Sequence, residues 1–244
     1  MRIPDWHARA IEDVVPFLNR HGLLLVGGYS MQAHGIVDRP SADLDFAYAV
    51  SDVPCARLAG MLATEYEQHG YTAKVSPGPL ISRLEVGAGW FPEGETLDVD
   101  VIQRPSHTLD LAGAPVEIEI RPGSRVQTVS REDAVGQKMV AVLSRFAPRD
   151  YIDIHGVADT YSFAELEALG AARLKDRDTT ELLDLLATIR LPRAARLATA
   201  DLEPYGLGEP EATELRVWIA AWRDDLGRRL VMSQSREPDK STGQ

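Results

Sequence analysis

The chain has 244 residues and a net charge of −11, from 26 basic against 37 acidic residues, with 44% hydrophobic and 26% charged residues. That length and balance suit a normal globular core in one large domain or two small ones, and the acidity opposes general binding to nucleic acid without excluding a local basic groove. The single cysteine, Cys55, excludes an internal disulfide, the first residues carry no apolar signal core, and no apolar run approaches the roughly 18 residues of a membrane span; the expectation is a soluble, cytoplasmic protein.

Taken in order, Trp6 to Arg20 carries Ile11, Val14, Val15 and Leu18 at helical spacing. A short apolar run, Leu23 to Val26, reads as a buried strand that Gly27-Gly28 ends, and Tyr29 to His34 has room for about two helical turns. A glycine turn entering a helix presents backbone N–H groups that suit phosphate. His34, Asp38 and Arg39 lie in the following loop, where Arg39 either holds a phosphate or pairs with an aspartate. Asp43-Leu44-Asp45-Phe46 alternates acidic and apolar residues, so a strand here sets two carboxylates on one face and turns Leu44 and Phe46 to the core. Two such charges repel unless a cation lies between them, and Mg²⁺ commonly takes one or two carboxylates together with substrate phosphates. With 14 residues between Gly28 and Asp43, the order is that of a nucleoside triphosphate site with its metals. Taken singly, each part has a plainer reading: Gly-Gly as a tight turn, Asp-x-Asp as a solvated edge.

Ser51-Asp52 reads as the cap of a helix reaching Gln68, with Leu58, Met61, Leu62 and Tyr66 inward and Gly70 ending it. Tyr71 to Val75 and Ile81 to Val86 read as strands around a Pro77-Gly78-Pro79 turn. The loop Gly87 to Gly94 exposes Trp90 and Phe91, either to stack on a ring or to anchor the loop. Thr96 to Ile102 is a second acidic strand, with Asp98 and Asp100 on one face. A carboxylate from it, Asp100 first and Asp98 second, would complete a three-carboxylate metal site. Val116 to Ile120 and Val126 to Val129 are further strands. Ser130 caps the next helix, whose stripe is Val135, Met139, Val142 and Leu143. Lys138 beside that stripe either snorkels to water or reaches a triphosphate. Arg145, Arg149, Asp150 and Asp153 follow, with Arg149 and Asp153 at helix-pair spacing. From Phe163 the pattern is helical throughout, ending in a helix of about Glu211 to Val231 striped with Leu215, Trp218, Trp222 and Leu226.

No G-x-x-x-x-G-K-[ST] loop, no G-x-S-x-G elbow and no Cys/His zinc cluster occurs. What does occur, Gly27-Gly28, then Asp43-x-Asp45, then a later strand carboxylate, resembles the polymerase-β-like nucleotidyltransferase superfamily. The stretch LVGGYSMQAHGIVDRPSADLDFAY with the later REDAVGQKMVAVLSRFAPRDYIDI is similar to its AbiEii/AbiGii toxin branch, in Gly27, Gly28, Arg39, Ser41, Asp43, Asp45, Lys138, Arg149, Asp150 and Asp153. The resemblance covers roughly Leu23 to Val157. Gly-Gly stands where the superfamily usually has Gly-Ser, which leaves Ser30 to supply the hydroxyl.

The resemblance implies a toxin of a toxin–antitoxin or phage-defence system that moves a nucleoside monophosphate from an NTP to an acceptor, tRNA or other RNA, with a cognate antitoxin as partner. It implies two Mg²⁺ ions on Asp43, Asp45 and Asp100, a triphosphate cradle of Gly27, Gly28, Ser30, Arg39 and Ser41, charge neutralisation by Lys138, and Asp150 orienting Lys138 or touching the nucleotide. The alternatives are a small-molecule (antibiotic) nucleotidyltransferase and a catalytically silent binding module on the same fold. The expected architecture is α/β (α+β). A nucleotidyltransferase domain, 1–161, has a small mixed sheet flanked by helices. An all-helical domain, 162–232, follows, and then a disordered tail, 233–244.

Overall fold

Apolar residues at helical spacing form α1 (Asp5–His21), with Ile11, Val14 and Leu18 buried and Gly22 closing the helix in the left-handed conformation. The computed structural model describes residues 3–39, 41–49, 51–104, 113–174 and 178–234. After α1 come β1 (Leu24–Val26), α2 (Gly27–Ala33), β2 (Asp43–Ala49), α3 (Cys55–Gln68), β3 (Thr72–Ser76), β4 (Ile81–Gly87), β5 (Leu97–Arg104), β6 (Val116–Arg121) and β7 (Ser124–Thr128). The strands form one sheet in the order β3-β4-β5-β2-β1-β7-β6. It is mixed: β2–β5 and β1–β7 are parallel and the other neighbours antiparallel.

Strand alternation separates the two faces of this sheet. Leu44, Phe46 and Tyr48 of β2, Leu84 and Val86 of β4, and Leu97, Val99 and Val101 of β5 share a buried core with α1 and α3. The opposite face carries Asp43 and Asp45 of β2, Arg83 and Glu85 of β4, and Asp98 and Asp100 of β5. Burying one face fixes the register, and the register fixes which carboxylates become neighbours.

Two expectations change here. Ser51-Asp52 does not cap α3: the helix starts at Cys55 with Pro54 extended at its N-cap position, and Ser51 Oγ accepts the Val53 N–H (3.2 Å) in a local turn. A residue preceding proline avoids the helical region, so the helix cannot begin earlier. Trp90 and Phe91 are not an exposed pair: Phe91 is buried and Trp90 partly so, and both rings pack with Tyr71.

The chain divides into two compact units, Met1–Val135 and Gly136–Gln244. The division falls inside α4 (Arg131–Ser144), whereas 161/162 was expected. The second unit holds the rest of α4, α5 (Pro148–His155), α6 (Phe163–Ala171), α7 (Thr179–Leu185), α8 (Leu191–Ala194) and α9 (Glu209–Gln234). A side chain at Gly170 of α6 would meet Met139 Cβ at 2.9 Å and Leu143 Cδ1 at 3.1 Å, so α4 packs against the later helices. The helix α9 continues into the stretch expected as a tail, and residues 235–244 lie outside the described residues.

The apolar sheet face dominates the stability of the first unit. Phe46→Ala, at a position with no exposure, is expected to destabilise by about 3–5 kcal/mol in guanidinium unfolding, while Val231→Ala, 63% exposed, stays within about 0.5 kcal/mol.

Candidate active site

β1 runs antiparallel to β2 with Val26 opposite Asp45, so the chain leaves β1 beside the carboxylates and turns at once into α2. Gly27 makes that turn with φ +67, and a Cβ there would stand 2.0 Å from Asp45 Oδ2. Only glycine lets the backbone lie this close to the carboxylate. A Cβ on Gly28 would meet Ser41 Oγ at 2.4 Å and lie 3.9 Å from Arg39 Nη2, so the buried Arg39 and Ser41 close over the turn. Ser41 Oγ also donates to Asp43 Oδ1 (3.1 Å). The sheet thus brings Gly27, Gly28, Arg39, Ser41, Asp43 and Asp45 together.

Ser30 points elsewhere. It is fully buried, and its hydroxyl lies 2.9 Å from Thr128 Oγ1. Thr128 donates its own proton to the Leu25 carbonyl (2.7 Å), so Ser30 supplies the proton of that contact. The hydroxyl that stands over the glycine turn is Ser41.

In the parallel pair β2–β5, Asp43 is opposite Asp98 and Asp45 opposite Asp100. Both candidates for a third carboxylate therefore flank the first pair, but their surroundings differ. Asp100 accepts two hydrogen bonds from Arg83, Nε to Oδ1 and Nη2 to Oδ2, each 2.8 Å. That bidentate pair, with the added charge of Asp98 and Asp43, raises the Arg83 pKa above its ordinary value. Asp98 instead lines a cleft of about 480 Å³ with His7, Ser41, Asp43, Glu95 and Thr96. Among the described residues no three His, Cys, Asp or Glu side chains converge closely enough to enclose a metal. Arg104, half-buried at the end of β5, has its pKa lowered by desolvation and partly restored by the charge of Asp45.

Sequence reasoning missed Arg83, Arg104, His7 and Tyr29. Alternation along β4 places Arg83 on the acidic face, a signal that needed the β4–β5 register to be used. His7 carries no sequence signal. It is buried on α1 and bonded through Nδ1 to the Tyr29 hydroxyl, which donates to the Ser41 carbonyl (3.0 Å). The tyrosine proton is used on that carbonyl, so His7 donates from Nδ1 and bears its lone pair on Nε2, which has no hydrogen-bond partner among the described residues. Burial lowers the His7 pKa to about 4, partly opposed by the charge of Asp43.

In the second unit, Lys138 neither snorkels nor stands free. It is 8% exposed and reaches Asp150 Oδ1 (3.2 Å) and Asp153 Oδ2 (2.8 Å) on α5. Asp150 also accepts from Arg145 at 2.8 and 3.0 Å. Burial alone would raise the Asp150 pKa, but Arg145 and Lys138 outweigh it and hold the carboxyl below its ordinary value. A triphosphate seeking Lys138 would compete with two buried carboxylates.

Two outcomes are expected. His7 stays neutral in the folded protein down to about pH 4, whereas the unfolded chain protonates it near pH 6.5. Its contribution is complete above pH 6.5 and is lost as pH falls toward 4, so melting temperature should drop across that window and drop less in His7→Gln. Lys138→Ala removes the buried cation that Asp150 and Asp153 share and should cost about 3–5 kcal/mol in chemical unfolding, with Asp153→Asn recovering part of the loss.

The family described as "Nucleotidyl transferase AbiEii toxin, Type IV TA system" matches residues 9–239. JHP933 from Helicobacter pylori is similar in structure, with TM-score 0.53 and 18% identity over 96% of this chain and 97% of that one. A putative nucleotidyltransferase from H. pylori is similar at TM-score 0.53 and 18% identity, over 94% and 98% of the two chains. The MenT4 nucleotidyltransferase toxin Rv2826c from Mycobacterium tuberculosis H37Rv follows at 0.48 and 17%, over 95% and 84%. No curated protein matches the chain. The match along nearly the whole length, on a mixed sheet that sets Gly27-Gly28 beside Asp43 and Asp45, places this chain in the AbiEii nucleotidyltransferase toxin family.

Proposed function

We propose that this nucleotidyltransferase toxin moves a nucleoside monophosphate from an NTP to the end of an RNA, tRNA above all, in a Mg²⁺-dependent reaction. The observation that supports it best is the contact between the Gly27 turn and the Asp45 carboxylate, because it sets a phosphate-binding backbone directly against a metal-binding acid. The donors present fit the metal. Asp43 and Asp45 offer hard oxygens on one strand face, and Mg²⁺ completes its coordination with phosphate oxygens and water.

Asp43 and Asp45 would hold two Mg²⁺ ions. Asp98, facing the cleft beside Asp43, is the better-placed third carboxylate, because Asp100 is occupied by Arg83. When bound, the ions would polarise the phosphoryl oxygens and favour the attacking hydroxyl. The protein's own part is positioning and charge. The Gly27 and Gly28 amides bind phosphate oxygens, Ser41 and Arg39 close over the turn, and Asp43 is steered by the Ser41 hydroxyl. The family description supports a cognate antitoxin as partner. NTP and tRNA locate the work in the cytoplasm, and no described helix is long and apolar enough to cross a membrane.

The test is incubation of the protein with each α-labelled NTP, Mg²⁺ and total RNA. Label should enter a discrete RNA band with one nucleotide, vanish on chelation, and fall by about 100-fold or more in Asp45→Asn. Label entering an aminoglycoside but never RNA would favour the small-molecule enzyme. No label in either acceptor, with NTP binding intact, would favour the silent module.

A further inference from the structure

A second cleft, about 420 Å³, adjoins the acidic one and shares Trp6 and Pro92 with it. Its wall is aromatic: Phe91 lies 4.6 Å from Trp6 and 4.8 Å from Trp90 between ring centroids. The guanidinium carbon of Arg9 stands 4.2 Å from the Trp90 ring centroid, and the Arg9 side chain is half exposed. Arg121 completes the rim. The two linings differ in charge: Asp43, Glu95 and Asp98 line one without an Arg or Lys, while Arg9 and Arg121 line the other beside Asp5.

Loop anchoring accounts for Phe91, which is buried, and for the Tyr71 contact. It does not account for a guanidinium held over Trp90 at the mouth of a cleft. The ion pairs at this rim are long and each has at least one exposed partner: Arg9 to Asp13 at 3.8 Å, Arg121 to Asp5 at 3.3 Å and to Glu12 at 3.6 Å. A phosphate can take over such pairs at little cost. Unpaired bases stack on aromatic rings and on guanidinium planes alike.

We infer that the cleft of Trp6, Arg9, Trp90 and Arg121 is a nucleobase subsite. It stacks an unpaired base of the acceptor strand against Arg9 and the indoles, with the adjoining phosphate on Arg121, and so presents the strand end to the neighbouring carboxylates. The inference rests on the proposed transfer to RNA, but its chemistry is that of any nucleotide, and the base of the NTP is the other possible source.

Binding without catalysis tests it. Anisotropy of a short labelled oligoadenylate, without Mg²⁺, is compared for the full chain and for Arg9→Ala, Arg9→Lys and Trp90→Leu, each checked for an unchanged melting temperature. Losing a stacking partner should weaken the oligonucleotide about tenfold in all three. Arg9→Lys belongs with the others because it keeps the charge but loses the plane. NTP affinity, measured separately, should stay within about twofold of the parent. A fall in NTP affinity with oligonucleotide binding unchanged would keep the subsite and assign it to the incoming nucleotide. Unchanged binding of both ligands in folded Arg9→Ala and Trp90→Leu would overturn the proposal. Because no transfer is read, a negative labelling assay beside Arg9-dependent binding would remove the transferase reading and leave the subsite standing.

Discussion

Four carboxylates on one face of two adjacent strands are the constraint around which the first unit is built. β2 and β5 run parallel with Asp43 beside Asp98 and Asp45 beside Asp100, at the roughly 4.8 Å spacing of neighbouring strands. Like charges so placed oppose the pairing, and burial of Leu44, Phe46, Val99 and Val101 on the reverse face supplies the free energy that holds them there. The face is then partly neutralised residue by residue. Arg83 grips Asp100 with both oxygens, Arg104 lies in the field of Asp45, and the Ser41 hydroxyl supports Asp43. The relief is uneven. Asp43 and Asp98 are the two of the four that line the acidic cleft.

Much of this was legible because period-two alternation is a strong local signal. Asp43-x-Asp45 and Asp98-x-Asp100 each had to share a face once their segments became strands, and both did. The two glycines and the apolar run before them placed the turn. The partners of those residues were not legible. Arg83 lies 17 residues from Asp100 and meets it only through the antiparallel β4–β5 register. Depth within the strand does not distinguish Asp98 from Asp100; what separates them is a cation on the neighbouring strand. Ser30 stands inside the short helix, where helical rotation turns it to Thr128, whereas Ser41, 14 residues after Gly27, returns over the turn from the loop before β2. His7 is beyond any local pattern, because its role comes from α1 packing across Tyr29.

The second unit shows the same physics with a different resolution. Lys138, Asp150, Asp153 and Arg145 make a compact cluster whose two carboxylates are fully buried. Glu167 is likewise buried and satisfied by Trp222 Nε1 (2.8 Å) and both terminal nitrogens of Arg229 (2.7 Å each). Such networks contribute little net stability against an apolar core of equal volume, but each member is strongly destabilising to remove alone. The division at Val135/Gly136 follows: α4 carries Lys138 and packs against α6 through Met139 and Leu143, so most of α4 belongs with the later helices and not with the sheet that precedes it.

An acidic chain that handles polyanions needs positive charge placed locally, because its net charge repels them. The whole chain has 26 basic residues against 37 acidic, and the first unit places its arginines selectively. Arg39 is buried beside the glycine turn, Arg83 is committed to Asp100, and Arg9 and Arg121 stand at the rim of the aromatic cleft. In the proposed reading the acidic cleft itself is left to a dication that binds with the nucleotide. Overall repulsion then works for specificity. Non-specific contact with duplex nucleic acid is disfavoured by the net charge, and under the proposed subsite a strand would be held where an unpaired base can stack and a phosphate finds an arginine.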